Sequence, residues 1–196
     1  NEYNDLVKKG FDWKPPVIGG PSTGRTVIDG KERIMLCANN YLSMSNHPKV
    51  KQAAIDAVKS HGAGSGSVRP IAGNMDIHNE LEETIARFKN REAALYYQTG
   101  FAVNSGLIPQ LAGKNDAIIS DQLNHGSIID GVRLSGVKKE NRTIYAHNDM
   151  GELEDRLKEA TNKCEKTLVI SDGVFSMDGD IAPLDEITKL AREYGA

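Results

Sequence analysis

Several polar side chains of this chain could hold or transfer protons in a reaction. His125 lies in the segment Asp-Gln-Leu-Asn-His-Gly-Ser (121–127), and Asp172 and Ser176 lie in segment 171–180, which contains three acids and two serines. Imidazole and carboxyl groups are the usual general acids and bases of enzymes. Simpler interpretations remain open. A lone histidine is often structural, and an acidic loop can be solvated or bind a divalent cation, although these acids lack EF-hand spacing.

The tripeptide Thr99-Gly100-Phe101 could bind an anion such as a phosphate. It follows an apolar run and opens a helical pattern, so free backbone N–H groups and the helix dipole would converge there. Gly100 allows a ligand to come close, and the hydroxyl of Thr99 can donate to a phosphate oxygen. An ordinary turn between a strand and a helix has the same composition.

The densest glycine cluster is Gly-Ala-Gly-Ser-Gly-Ser at 62–67. It does not fit a dinucleotide-binding fingerprint, which needs a strand before the glycines and a helix directly after them. Here a helical pattern precedes the cluster and residues 68–73 separate it from the next helix. Two interpretations remain: a flexible connector, or a loop whose backbone approaches a ligand or another subunit.

The elements that must position these groups alternate along the chain. From about residue 90, short apolar runs are predicted as buried strands, and patterns of helical period lie between them. The alternation predicts an α/β fold, with a mostly parallel sheet flanked by helices. The polar segments would then follow the carboxyl ends of strands, where ligands bind in open α/β sheets. The predicted strands are 94–98, 117–120, 143–146 and 167–171.

The first 45 residues follow a different pattern. They contain a predicted short helix near 3–9, a stretch rich in proline and glycine, and two strand-like pieces around Asp29-Gly30. Too few apolar residues lie there to bury an independent core. We therefore expect an N-terminal arm with small strands at 1–45 and the main domain at 46–196.

Composition restricts the class of protein and its partners. The 196 residues include 24 Lys plus Arg and 27 Asp plus Glu, for a net charge of −3. This balance argues against nucleic acid as a partner. Because no apolar run is long enough for a membrane span and the first residues lack a signal pattern, we expect a cytoplasmic protein without membrane contact. Cys37 and Cys164 are predicted to be buried free thiols, and no metal site is expected.

Several short motifs occur together and in a fixed order. By these motifs the chain resembles the α-oxoamine synthases, enzymes that use pyridoxal 5'-phosphate (PLP) to condense an amino acid with an acyl-CoA. The resemblance runs from about Met35 to the end and is strongest to glycine C-acetyltransferases, then to 8-amino-7-oxononanoate synthases. It rests on Cys37-Ala-Asn-Asn-Tyr-Leu, Gly64-Ser-Gly-Ser with Gly73, His78 with Leu81-Glu82, Thr99-Gly-Phe, Asp121 to His125 with Ser127, His147-Asn-Asp, and Gly173-Val-Phe-Ser-Met-Asp-Gly.

The resemblance implies a cofactor site. It implies that Thr99, Gly100 and Phe101 bind the cofactor phosphate and that the ring of His125 stacks on the pyridine. Ser176 is similar to a serine near the phenolic oxygen of the cofactor.

The resemblance also implies roles beyond the cofactor. Asp172 takes the place of a family acid beside the site, and with His125 and Ser176 it forms the predicted catalytic group. Asn39 is similar to an asparagine near the substrate amino acid, and the loop 64–67 is similar to one that reaches the partner subunit in a homodimer. The implied fold is the N-terminal part of the large domain of a fold-type I, aspartate aminotransferase-like PLP transferase.

The activity expected from the resemblance is transfer of an acetyl group from acetyl-CoA to glycine, giving 2-amino-3-oxobutyrate and CoA. One alternative is 8-amino-7-oxononanoate synthesis from alanine and a pimeloyl thioester. Another is a non-catalytic partner subunit, although retention of His125 favours an enzyme. The lysine that bonds to the cofactor lies, in the family, beyond the segment matching Ala196, so residues 1–196 alone are predicted to be inert.

Overall fold

The computed structural model describes all residues, Asn1–Ala196, and divides into two units, Asn1–Thr84 and Ile85–Ala196. The predicted division into an arm at 1–45 and a main domain at 46–196 stays a prediction. No helix has the length and apolar character needed to cross a bilayer.

Local signals account for the elements of the first unit. Helix α1 is Glu2–Lys8, strands β1 (Arg25–Ile28) and β2 (Lys31–Ile34) form an antiparallel hairpin, and α2 (Pro48–His61) and α3 (Asp76–Phe88) follow. Helix α2 begins with a proline, and the ring of His47 caps it by accepting the N–H of Lys49. Within residues 1–84 only Thr26 and Gly73 are buried.

The segment after the glycine cluster folds back on itself. The N–H groups of Ile71 and Gly73 donate to the carbonyl oxygen of Val68. A Cβ at Gly73 would overlap the carbonyl oxygen of Ser67, so this position requires glycine. Arg69 is held by the carboxylate of Glu82, with Nη2 3.0 Å from Oε2. The loop is therefore fixed by contacts on its C-terminal side, while its approach to a partner subunit stays a prediction.

The second unit contains the predicted parallel sheet. Strand β3 lies in the centre, with β4 and β5 paired parallel to it on either side. Helices connect the strands, which confirms the α/β class. The elements are α4 (Gly100–Leu111), β3 (Ala117–Asp121), α5 (Gly126–Leu134), β4 (Arg142–Tyr145), α6 (Met150–Thr161), β5 (Thr167–Ile170) and α7 (Leu184–Glu193).

Strand β3 is buried along its whole length, and successive side chains of this strand pack into two different hydrophobic clusters. Ile118 packs with residues of α4 and α5 such as Ile108 and Ile128. Ile119 belongs to the second cluster, which includes Leu153 of α6. Because side chains alternate across a strand, the sheet is covered on both faces and its carboxyl end is held in place.

The predicted strand at 94–98 does not form. Leu95 is 66% exposed, and no strand of residues 1–196 lies beside this segment. The apolar and aromatic composition predicted a strand, but a strand also needs the backbone of a neighbour to satisfy its hydrogen bonds. Composition alone was therefore insufficient here.

The prediction that both cysteines are buried is also wrong. Cys37 is exposed and Cys164 is half-buried. Cys37 lies just after β2, in a unit with very few buried residues. Residue type indicates a preference for burial, but burial requires packed neighbours.

Candidate active site

The first turn of α4 carries two free backbone donors. The cap residue Thr99 accepts the N–H of Ala102 on its Oγ1 at 3.0 Å, and its carbonyl oxygen accepts the N–H of Val103 at 3.1 Å. The N–H groups of Gly100 and Phe101 have no acceptor within the protein. A Cβ at Gly100 would meet no atom within 4 Å, so the helix end is open to a ligand. Two free donors at the end of a 12-residue helix suit an anion such as phosphate.

The ring of His125 caps α5 and remains exposed. Its Nδ1 accepts the backbone N–H of Ser127 at 3.1 Å. Since a backbone N–H can only donate, Nδ1 carries no proton and the proton of the neutral ring lies on Nε2. The cap therefore orients the ring and leaves Nε2 as a free donor.

Asp172 and Asn124 hold the backbone at His125. The carboxylate of Asp172 accepts the backbone N–H of His125 at 2.7 Å. The buried Asn124 accepts the N–H of Asp172 at 2.7 Å and donates to the carbonyl oxygen of Ile170 at 2.8 Å. The predicted pair of His125 and Asp172 is therefore brought together, with the carboxylate on the backbone of His125 rather than on its ring.

Helices α4 and α5 bring the anion site and His125 into one region. Asn104, one turn into α4, donates to the hydroxyl of Ser127 in the first turn of α5 at 2.9 Å. A Cβ at Gly131 would overlap the carbonyl oxygen of Asn104, so glycine permits the close approach of the two helices. Both helix starts therefore lie side by side.

Ser176 and Asn39 are placed less definitely. Ser176 is exposed in the loop between β5 and α7, and its hydroxyl makes no hydrogen bond. Asn39 is exposed in the irregular segment after β2 in the first unit. Its neighbour Asn40 bonds to the carbonyl oxygen of Ser22 at 2.7 Å. The roles of Ser176 and Asn39 stay predictions.

A second polar cluster lies at the same end of the sheet and was not assigned a role from the sequence. His147, just beyond β4, contacts Asp121 through Nδ1 at 2.9 Å and Asp180 through Nε2 at 2.5 Å. Asp121 also accepts the N–H of Asn148 at 3.1 Å. No three His, Cys, Asp or Glu side chains of residues 1–196 are placed to hold a metal ion. The position of His147 after a predicted strand was the signal that could have identified it.

Charges within this cluster shift the proton affinities of its members. The hydrogen bond to Asp121, and then that to Asp180, raises the pKa of His147 above its ordinary value. The hydrogen bond from His147 lowers the pKa of Asp180. Burial, followed by the charge of Asp121, raises the pKa of Tyr145 to about 12. The cluster therefore favours a charged histidine between two carboxylates.

Known proteins match both the sequence and the fold. Residues 31–196 match the model of the family described as aminotransferase class I and II. The 8-amino-7-oxononanoate synthase of Alkaliphilus metalliredigens is 52% identical over 195 residues, covering 100% of this chain and 49% of that protein. The protein of the same name from Thermoanaerobacter pseudethanolicus is 53% identical, with the same coverage. The chain thus spans about half the length of these relatives.

Solved structures give the same result for the fold. A serine palmitoyltransferase from S. paucimobilis with a bound PLP–myriocin aldimine superposes with a TM-score of 0.90 at 33% identity, covering 100% of this chain and 48% of that one. The 8-amino-7-oxononanoate synthase of Francisella tularensis gives a TM-score of 0.65 at 29% identity, covering 79% of this chain and 41% of that one.

These matches confirm the predicted fold-type I PLP transferase fold and the resemblance to α-oxoamine synthases. The sequence motifs indicate the strongest resemblance to glycine C-acetyltransferases, but these relatives are named 8-amino-7-oxononanoate synthases, the alternative. The chain belongs to the aminotransferase class I and II family and, within it, to the α-oxoamine synthases.

Proposed function

We propose that this chain is part of a PLP-dependent acyltransferase that joins an amino acid to the acyl group of a thioester. The observation that carries the proposal is that two free amides, those of Gly100 and Phe101, begin a helix that packs against the helix capped by the exposed His125. The hydrogen bond between Asn104 and Ser127 holds the two helix starts together. A phosphate and a flat aromatic ring in one ligand would use both features.

The donors available at this sheet edge fit PLP. The amides of Gly100 and Phe101, with the hydroxyl of Thr99, would bind the phosphate, and the ring of His125 would stack on the pyridine. Ser176 would lie near the phenolic oxygen. When bound, PLP supplies the electron sink that makes the Cα–H bond of an amino acid acidic.

The residues of this chain would orient the reacting groups. The carboxylate of Asp172 accepts the backbone N–H of His125 at 2.7 Å and so helps to keep the orientation of the ring. The Nε2 proton of His125 is available to a substrate oxygen, because Nδ1 is already occupied by Ser127. We assign contact with the substrate amino acid to Asn39. The precise arrangement of the ring and of Asp172 also favours an enzyme over a non-catalytic subunit.

The better-supported substrate pair is alanine with a pimeloyl thioester, because the relatives at 52% and 53% identity carry the corresponding name. Glycine with acetyl-CoA is the second candidate, supported by the motifs Cys37-Ala-Asn-Asn-Tyr and Asp149-Met-Gly-Glu-Leu-Glu. The intact polypeptide should be assayed with both pairs. A clear preference for alanine and pimeloyl-CoA would establish the first activity, and the opposite preference would establish the second.

We further propose that the protein is a homodimer, with the loop 64–67 at the partner's site. Apolar side chains of the first unit are exposed in the isolated chain, among them Leu36 at 91% and Leu42 at 82%. A second subunit would cover such side chains. Light scattering of the intact protein tests this, and a monomer would contradict it.

Substitution of Gly100 tests the phosphate site directly. Proline is compatible with this position, because it is the first residue of α4 and Thr99 before it is extended, with φ −148° and ψ 156°. Gly100→Pro removes one amide donor and should weaken PLP binding about tenfold or more. Gly100→Ala is the matched control, because it keeps the donor and meets no neighbouring atom. Equal PLP affinity of both variants and the wild type, measured by absorbance titration, would contradict the site.

A further inference from the structure

We propose that His147 is a positioning residue whose imidazolium, held between Asp121 and Asp180, fixes the loop that presents Ser176. The role assigned to Ser176 rests on the proposed function, whereas the charged bridge itself rests on geometry alone. His147 contacts no group of the phosphate site described above.

The protonation state follows from the two contacts of the ring. Nδ1 lies 2.9 Å from Oδ1 of Asp121, and Nε2 lies 2.5 Å from Oδ2 of Asp180. A carboxylate oxygen only accepts hydrogen bonds, so each ring nitrogen must carry a proton. A neutral imidazole has one such proton and an imidazolium has two. The amide nitrogen of Asn148 also lies 3.1 Å from Nε2, but it donates to Oδ2 of Asp180 at 3.1 Å, so carboxylates are the only acceptors of the ring and the geometry favours the charged form.

The two carboxylates come from different elements and differ in burial. Asp121 ends β3, has no exposed side-chain surface, and also accepts the N–H of Leu123 at 2.8 Å. Asp180 lies in the loop before α7 and its side chain is 38% exposed. These are the two charged groups that face the ring, and together they account for the raised pKa of His147. The bridge thus joins a rigid strand end to a surface loop.

His147 contacts the loop on both sides of its exposed tip. Phe175, which is buried, meets the ring of His147 edge to face at 4.4 Å, and Asp180 meets Nε2. Within the loop, Phe175 donates to the carbonyl oxygen of Asp180 at 2.9 Å and accepts from Gly179 at 2.7 Å. Ser176 directly follows Phe175. One side chain therefore contacts both ends of the tip that carries Ser176.

The test compares two substitutions in the same loop of the intact protein. Asp180→Asn removes one of the two charges that face His147 and leaves that of Asp121. Asp178→Asn makes the same chemical change at an exposed residue whose side chain makes no hydrogen bond or ion pair. Hydrogen exchange of the Gly179 amide, measured without cofactor, should become about tenfold faster in Asp180→Asn and stay unchanged in Asp178→Asn. Equal exchange in both variants would overturn the proposal.

Ring ¹⁵N chemical shifts give a second readout that does not depend on loop opening. In the wild type and in Asp178→Asn, both nitrogens of His147 should keep the chemical shifts of an imidazolium at pH values above 6.5, the ordinary pKa of histidine. In Asp180→Asn the midpoint of the His147 titration should move to lower pH. A neutral ring at pH 6.5 in the wild type would overturn the charged bridge.

A double-mutant cycle tests the effect on Ser176. Asp180→Asn and Ser176→Ala should each weaken PLP binding, and the double variant should bind no more weakly than Ser176→Ala. Additive losses would refute positioning of Ser176. Failure of the wild type to bind PLP would refute the proposed function instead, and hydrogen exchange and ¹⁵N shifts would still decide whether the bridge exists.

Discussion

Two histidines follow neighbouring strands of the same sheet and are held in opposite ways. His125, after β3, is bound to the protein through Nδ1, which leaves its ring face and Nε2 exposed. His147, after β4, has both ring nitrogens occupied by carboxylates and a phenyl ring packed against it. The first histidine is available to a ligand, whereas the second is used entirely within the protein.

The difference shows that residue type and sheet-edge position do not assign a role by themselves. What separates the two rings is the number of acceptors that surround each of them. His125 meets a backbone donor and the Ser127 hydroxyl, neither of which carries a charge. His147 meets two carboxylates, which raise its pKa and favour the cationic ring. The predictions below test this contrast.

The largest effect is expected from the aspartates that support the two histidines. Asp121→Asn would leave His147 without its buried counter-charge and should lower the free energy of unfolding by about 3 kcal/mol. Asp172→Asn changes a half-exposed acid that binds the backbone of His125, so about 1 kcal/mol is expected. Urea denaturation of both variants measures the difference. Equal losses would remove the distinction between the two histidines.

The pH dependence of stability should follow His147. Because its folded pKa is raised, the bridge contributes fully below the ordinary value of 6.5 and is lost as the pH rises through the folded value. The melting temperature should therefore fall as the pH rises above 6.5. This fall should be smaller than the loss caused by Asp121→Asn, since a neutral ring keeps one hydrogen bond. In Asp180→Asn this fall should be smaller and should end at lower pH, because the folded pKa of His147 is less raised. An unchanged profile in that variant would contradict the assignment.

Removal of the exposed ring should affect the ligand more than the fold. His125→Ala should weaken PLP binding about tenfold, whereas His125→Phe, which keeps a flat face, should retain most of the affinity. Both variants lose the cap of α5 and should lose about 1 kcal/mol of stability. Absorbance titration with PLP separates the two effects. Undiminished affinity of a folded His125→Ala protein would exclude stacking.

The smallest effect is expected at Ser127. Ser127→Ala removes the acceptor of Asn104 and the hydroxyl that lies 2.7 Å from Nδ1 of His125, but it keeps the backbone N–H that orients the ring. About 0.5 kcal/mol of stability and less than a twofold change in PLP affinity are therefore expected. Ser105→Ala is a suitable control, because its hydroxyl donates to the carbonyl oxygen of Phe101 within α4. A larger loss of affinity in Ser127→Ala would show that the hydroxyl itself orients the ring.

Much of the second unit could be predicted from the sequence. The run at 117–120 became β3, with one further residue, and Asp149 caps α6 as its spacing to Glu152 indicated. These signals are local, because a cap or a buried apolar run acts within a few residues. The run at 94–98 carried an equally strong pattern and formed no strand, since no strand of residues 1–196 pairs with it.

The candidate site divides in the same way. The sequence by itself determined that His125 and Asp172 follow strands of a parallel sheet and that a helix begins after Thr99, and their motifs indicated a phosphate-containing cofactor. Only the tertiary structure decided that Asp172 binds the backbone of His125, 47 residues away, and that His147 joins partners 26 and 33 residues away. Such contacts depend on the strand order β4-β3-β5, which brings distant strand ends together and which no local pattern encodes.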